Sequence, residues 1–451
     1  MVRIQTESHS ITFCILCNCY FRFTNLLGRK LTLLKNSLGI LLLWILPPLI
    51  YFLKAYVGLG GGSLFTGIVY SFGIFLLLTP LHSKIGFKPN VLLLQVGAAF
   101  FCQALLYFFI YNMEGRSFAI DSINFFLLFF FFLFLLRVDN EVQKYLPVLI
   151  LATTLVTSLA LLYSIYTNPE FVLGSRATVQ YKSTSGEFTG NPHVYSRNGL
   201  AGFIISMLLL HYKDEVIYLG NKNYIRLLSH VNLLISLLVI VLTQTRATIL
   251  SLGIVIIFMS IFVFKWKDIF TKIRGYILVY YGLLIVGIFY FEEKFKFWKL
   301  VTGYFNSFQN LFFKAVNTGL SLGKSSEYDE SAMGRVVNIN FFFNLWKNDP
   351  WGFILGHGYK KRYIDIPVLE SFINFGVIGL VTFVLFNSLI LYFSIKALKS
   401  INVFQVFIGL FYIHTLVATF VAGRPVDFSF WVSYIVIIRF LGIEYKERNI
   451  S

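Results

Sequence analysis

Residues 118–136 read FAIDSINFFLLFFFFLFLL, and no soluble core explains such a stretch. It is about as long as an apolar helix must be to cross a bilayer, roughly 20 residues. Its one ionisable side chain, Asp121, lies close to its start, and from Phe125 to Phe134 it holds nothing but Phe and Leu. Lipid tails accept any large apolar side chain, so this run needs no bound ligand to account for it. The rest of the chain is of the same character. Of 451 residues, 57% are hydrophobic and only 13% charged, with 51 Phe and a mean hydropathy of +0.74. A soluble domain is typically about 25% charged. Most of this surface must face lipid.

Comparable stretches fall at 38–57, 63–81, 91–111, 146–166, 198–212, 227–243, 247–264, 275–291, 368–393, 403–421 and 427–443. The expected fold class is therefore all-α, a polytopic transmembrane helical bundle of about 12 helices with a long, partly helical periplasmic loop. Residues 1–451 then form a single integral membrane domain. An even number of spans puts both termini on one side. Charge selects that side. With the termini inside, the inner segments hold Arg22, Arg29, Lys30, Lys84, Arg137, Lys213, Arg226, Lys265, Arg274, Lys396, Lys399 and Arg448, among others. These segments carry more than half of the 38 Lys and Arg, whereas the short outer turns hold only Arg116, Arg246 and Arg424. That is the positive-inside pattern. The net charge of +17 is thus spread between apolar spans rather than clustered for nucleic acid, and a lipid headgroup or anionic substrate suits it better.

Cys14, Cys17 and Cys19 have metal-like spacing, but no second ligand pair follows and their surroundings are apolar, so they and Cys102 read as structural or incidental. The apolar run Ile11–Phe21 is short, is interrupted by Asn18 and lacks a small-residue cleavage site, so no cleavable signal peptide is expected.

Two outer connections are long, 167–197 and 292–367. The second, about 75 residues, is too long for a passive linker between packed helices. Glu292–Leu311 alternates Lys with Phe and Trp and reads as an amphipathic helix on the membrane surface. Gly319–Gly334 is polar and rich in Gly and Ser, and reads as a mobile loop. Asn338–Trp346 reads as helix, broken by Asp349-Pro350.

Two groups of side chains are able to carry chemistry. Arg246 lies at the mouth of an apolar helix, Arg176 and Arg197 flank the first long loop, Arg335 lies in the second and Arg424 in the last outer turn. Guanidinium groups hold phosphate oxygens in a bidentate way and stay charged at low dielectric; the plain alternative is that each merely anchors a helix end. Asp365 and Glu370 precede and enter an apolar span, where a carboxylate is costly unless it is paired or used as a base. Lys360, Lys361 and Arg362 are the nearby partners for simple pairing. His193 and His357 are lone loop histidines without metal-ligand spacing. No phosphate-cradling glycine loop, dinucleotide fingerprint or hydrolase triad is present in the sequence.

Over roughly 190–395 the chain resembles the superfamily of O-antigen polymerases (Wzy-type) and O-antigen ligases, integral membrane glycosyltransferases of bacterial surface-polysaccharide assembly. The resemblance rests on motifs in order. They are Asn191-Pro192 through Arg197-Asn198-Gly199; Thr245-Arg246-Ala247; Gly334-Arg335, Trp346, Asp349-Pro350-Trp351-Gly352 and Gly356-His357-Gly358 in the long loop; and Gly376 with Gly379 on a helix. It implies an inner-membrane enzyme that uses a polyprenyl-diphosphate-linked oligosaccharide, with no cofactor and no metal, among membrane lipid. A chain-length regulator and a flippase would be its companions. Under this resemblance Arg246 and Arg335, helped by Arg176 or Arg197, hold the diphosphate, and Asp365 or Glu370 is the base. Ser371 and Asn374 would orient the sugar. The ligase branch typically has a His eleven residues before the first Gly of the Gly-x-x-Gly helix. Here that position is Asp365, which favours a polymerase over a ligase acting on lipid A core. The rival of another class is a flippase of the lipid-linked oligosaccharide, and the long outer loop argues against it.

Overall fold

Proline, glycine and buried polar side chains decide where these apolar stretches start, break and pack. The computed structural model describes residues 28–57, 63–78, 88–111, 118–168, 176–182, 188–212, 220–264 and 330–443, with a few isolated positions besides. The elements are α1 (Gly28–Trp44), α2 (Pro47–Val57), α3 (Ser63–Leu76), α4 (Val91–Ile110), α5 (Phe118–Leu135) and α6 (Leu146–Thr167). Next come a short antiparallel ladder, β1 (Tyr181–Lys182) with β2 (Phe188–Thr189), and then α7 (Pro192–His211), α8 (Lys222–Thr243) and α9 (Arg246–Phe258). The described chain resumes with α10 (Glu330–Asn348), α11 (Gly352–Leu355), α12 (Pro367–Ala397), α13 (Val403–Val421) and α14 (Phe428–Phe440).

Among the described residues, seven helices are long and apolar enough to span a membrane, or eight if α1 and α2 form one bent span. The other expected stretches are bent, shorter or enclosed among the described residues, or lie outside them. The stretch 38–57 is not one helix, because Pro47-Pro48 cannot continue α1 and the two axes meet at 73°. The stretches 63–81 and 427–443 contain helices of only 14 and 13 residues. At 1.5 Å per residue these reach about 20 Å, less than the roughly 30 Å hydrocarbon core. The stretch 198–212 begins earlier, at Pro192, and is not among the seven spans. Most of α7 is enclosed by neighbouring helices, so it tolerates polar residues that lipid would not. Asn198 Nδ2 donates to Thr154 O and Ser158 Oγ (both 3.1 Å), and Asn232 Nδ2 donates to Gly202 O (3.2 Å) and Ser206 Oγ (3.0 Å). These bonds tie α6, α7 and α8 together through small residues, as helices in lipid commonly associate. The stretch 275–291, most of Glu292–Leu311, and Cys14, Cys17 and Cys19 lie outside the described residues. Gly319–Gly334 is not wholly loop, since α10 has begun by Glu330.

At one end of the bundle, fully buried Arg439 of α14 donates to Leu135 O (3.1 Å), Val138 O (2.6 Å) and Asn140 Oδ1 (2.7 Å). It thereby satisfies carbonyls left open at the end of α5. At the other end, α12 breaks at Gly376 (φ 70°, ψ −163°), a conformation essentially restricted to glycine. The break frees backbone carbonyls in an apolar setting. Gly358 N donates to Asn374 O (3.1 Å), His357 N to Ile373 O (2.7 Å) and Gln103 Nε2 to Phe375 O (3.0 Å). The crossing is so close that a Cβ on Gly376 would fall 2.3 Å from Ile354 O, and one on Gly356 would fall 2.5 Å from Asn374 O.

Gly376→Ala should destabilise the protein by about 2–4 kcal/mol, the clash adding to a disallowed backbone region. Gly253→Ala, where the new Cβ meets nothing within 4 Å, should be neutral or slightly stabilising. Thermal unfolding midpoints of the detergent-solubilised variants would check both.

Candidate functional site

Two helix starts aim cations into one space. Asn191 caps α7 by accepting from His193 N (3.0 Å), and Pro192 occupies the first turn, where its missing N–H costs nothing. His193 and Arg197, four residues apart, then share a face of α7. At α9, Gln244 adopts the left-handed conformation (φ 49°) and Thr245 is extended, so the chain reverses in a tight turn and Arg246 opens the helix. Arg176 is brought alongside by the bond from Ala177 N to Leu242 O (2.9 Å).

Arg176, His193, Arg197 and Arg246 line a cavity of about 620 Å³, within the range of small-molecule sites. Asp365 lines it from the side of the long loop and Asp427 from the turn before α14. Asp365 (φ 61°) is held through Oδ1, which accepts from Tyr363 Oη (2.7 Å) and Gly423 N (3.0 Å). Burial raises the Tyr363 phenol well above its ordinary pKa, and the hydrogen bond to Asp365 and the charges of Asp365, Asp427 and Glu370 raise it further. Tyr363 therefore stays a proton donor to Asp365. Burial also pushes the Asp427 carboxyl up, although its bond from Arg424 N (2.8 Å) and the charges of Lys360 and Arg424 pull the other way.

Arg197 has an unusual environment. It donates to Ser433 Oγ (2.6 Å) and its guanidinium lies 5.2 Å from the Phe411 ring centroid. Among the described residues, no carboxylate lies within ion-pair distance of it. A half-buried cation facing a cavity, with the Ser433 hydroxyl, the Phe411 ring, the Tyr70 phenol and His414 near it but no carboxylate among the described residues, suits an anionic ligand.

The remaining expected residues lie elsewhere or differ in role. Arg197 is inside α7 rather than at the edge of a loop. Glu370 is fully buried in α12, with Arg424 Nε at 3.6 Å, Ile364 N at 3.4 Å and Asn374 Nδ2 at 3.4 Å. Its partner is thus Arg424 rather than Lys360, Lys361 or Arg362, and Lys360 instead pairs with Asp121 of α5 (2.7 Å). Ser371 and Asn374 are equally buried, with Asn374 Oδ1 accepting from Lys361 N (3.1 Å), so neither is presented to the cavity. Arg424 also stacks on the Tyr363 ring (4.8 Å). His357 belongs to the glycine crossing, with its Nε2 3.2 Å from Asp349 Oδ2. The backbone of Arg335 lies in the second turn of α10, and its side chain is outside the described part of the structure.

Sequence reading passed over two lining residues. Asp427 precedes the apolar run of α14 at the N-cap position, a recognisable signal. His414, within the apolar α13 and bonded to Ser251 Oγ (3.1 Å), is an ionisable group in a span and would have been found on that ground. No protein-family model matches the chain, and no curated protein matches it.

The raised Asp427 pKa has a stability consequence. The folded state holds this proton more tightly than the unfolded chain does. Its stabilising contribution is thus complete below the ordinary value of 3.8 and is lost as pH rises through the folded-state value. Asp427→Asn should flatten the pH dependence of the unfolding midpoint across that window, which a pH series of melting curves would reveal.

Proposed function

We propose that the protein is a glycosyltransferase of the Wzy-type class, a polymerase of surface-polysaccharide repeat units carried on polyprenyl diphosphate. One observation carries the reading: Arg197, without a carboxylate partner among the described residues, shares a cavity with Arg176, Arg246 and the fixed carboxylate of Asp365. In the proposed reaction the acceptor hydroxyl oxygen attacks the anomeric carbon of the donor sugar. The bond from that carbon to the diphosphate oxygen breaks, and the electron pair leaves with the diphosphate. Arg176, Arg197 and Arg246 neutralise the departing charge. Asp365 takes the hydroxyl proton, its orientation set by Tyr363 and Gly423. Glu370, buried against Arg424, positions the loop instead of acting as base. The reading places this face on the periplasmic side of a bacterial inner membrane, with both termini in the cytoplasm, as the distribution of Lys and Arg favours.

Losing one charge-assisted contact to phosphate costs roughly 1.5–3 kcal/mol, so Arg197→Ala should slow ladder formation by about 10- to 100-fold. Asp365→Asn should lower it by about 100-fold or more. Purified protein given lipid-linked repeat units, followed by a gel of the products, would measure both. Undiminished ladders from both variants would sink the proposal. In cells, loss of a polymerase leaves single repeat units on the core, loss of a ligase leaves none, and loss of a flippase traps the units inside. For orientation, a cysteine at Arg362 should react with a membrane-impermeant maleimide in intact cells, and one at Lys399 only after permeabilisation; the opposite pattern would invert the topology.

A further inference from the structure

The segment Phe343–Arg362 presents an apolar surface that nothing in the described chain covers. Trp351 is 76% exposed and Leu355 69%, and Phe343, Trp346 and Ile354 are exposed beside them. These side chains are not loosely held. Beneath them Phe353 is buried against Phe342 (5.4 Å), Trp346 (5.0 Å) and Phe372 (4.9 Å), which clamps α10 and α11 onto the first turns of α12. A rigid patch of large aromatic and aliphatic groups facing outward needs an apolar partner.

The depth of the patch identifies that partner. Tyr107 Oη donates to Leu355 O, and Tyr107 lies three residues before the end of α4, one of the membrane spans. Leu355 is therefore within reach of a tyrosine side chain on the last turn of that span. The same end of α4 exposes Leu106, Phe109 and Ile110, so both elements joined by this bond present apolar side chains outward. Besides Lys360, which is paired with Asp121, the chain from Phe343 to Arg362 carries Lys347, Lys361 and Arg362 against one acid, Asp349. Aromatic side chains next to cations at the end of a span are the composition of an interfacial anchor.

We infer that residues 351–355, with Phe343 and Trp346, dip into the headgroup–acyl boundary of the bilayer and anchor the long loop there. The partner is lipid rather than a second protein. The inference is independent of the reaction assigned to the cavity. It has a consequence for Asp365, because the chain from the anchor to Asp365 is only ten residues long, and the glycine crossing at Gly356 fixes its start. The anchor would hold the loop edge of the cavity at one depth relative to the membrane.

The test compares the tryptophan fluorescence of the full chain and of Trp351→Phe, both reconstituted in nanodiscs. Phe is a mild change at so exposed a position, and matched size-exclusion profiles would verify folding. The difference between the two emission signals reports Trp351. With lipids brominated on acyl carbons near the headgroup, that signal should lose the larger part of its intensity, while aqueous iodide should leave it nearly unchanged. Strong iodide quenching with little loss to brominated lipid would overturn the inference. Shielding from both quenchers would also overturn it, since it would mean that a protein surface covers the patch.

Discussion

A helix interrupted within apolar surroundings must find new partners for the carbonyls it frees, because lipid offers none. In α12 the interruption is Gly376, and the partners come from His357 and Gly358 of the long loop and Gln103 of α4. Much of the outer architecture follows from this exchange. The loop must cross α12 at van der Waals distance, which only glycine at positions 356 and 376 permits. Once pinned there, the chain from Tyr359 to Asp365 has little freedom. It runs past Lys360, which pairs with Asp121, and past Tyr363, under Arg424, to the carboxylate that faces the cavity. The pair between buried Glu370 and half-buried Arg424 closes the same corner. Such a pair is a weak source of net stability, but removing one partner leaves a charge stranded, and the geometry is held for that reason.

Electrostatics of the cavity follow from where each cation originates. Arg197 and Arg246 come from helices whose starts are set by Asn191-Pro192 and by the left-handed Gln244, so their positions depend on backbone rather than on flexible loops. Arg176 is delivered by backbone pairing to α8. A site built this way offers preformed positive charge at the end of a set of spans, and a diphosphate held by a long prenyl chain would meet it at that boundary. Asp365 and Asp427 line the same cavity, so both signs of charge face it.

Much of this was legible in the residues themselves. The apolar stretches marked most of the described membrane helices, Thr245-Arg246 marked a helix start, and Arg176, Arg197, Arg246, His193 and Asp365 do meet in one cavity, although Pro192–Arg197 opens α7 instead of closing the first long loop as the sequence suggests. What escaped depends on partners distant in sequence. The choice between Asp365 and Glu370 was open because Arg424, which occupies Glu370, lies beyond a whole further helix, α13. Among the described residues fewer helices qualify as spans than the apolar stretches suggest, because hydropathy does not distinguish a helix wrapped by its neighbours, such as α7, from one facing lipid, and does not register how Pro47-Pro48 bends a backbone. Gly376 stands out in sequence only as part of a Gly-x-x-Gly pair on a helix, and its left-handed backbone emerges only with the crossing chain in place.

The central claim is that the cavity holds a prenyl diphosphate at Arg197. A photoreactive farnesyl diphosphate analogue cross-linked to the purified protein in nanodiscs, followed by peptide mapping, tests it most directly. The account predicts labelling within α7 or α13, competed by unlabelled diphosphate and strongly reduced in Arg197→Gln. Labelling that is indifferent to both the competitor and the substitution would contradict it.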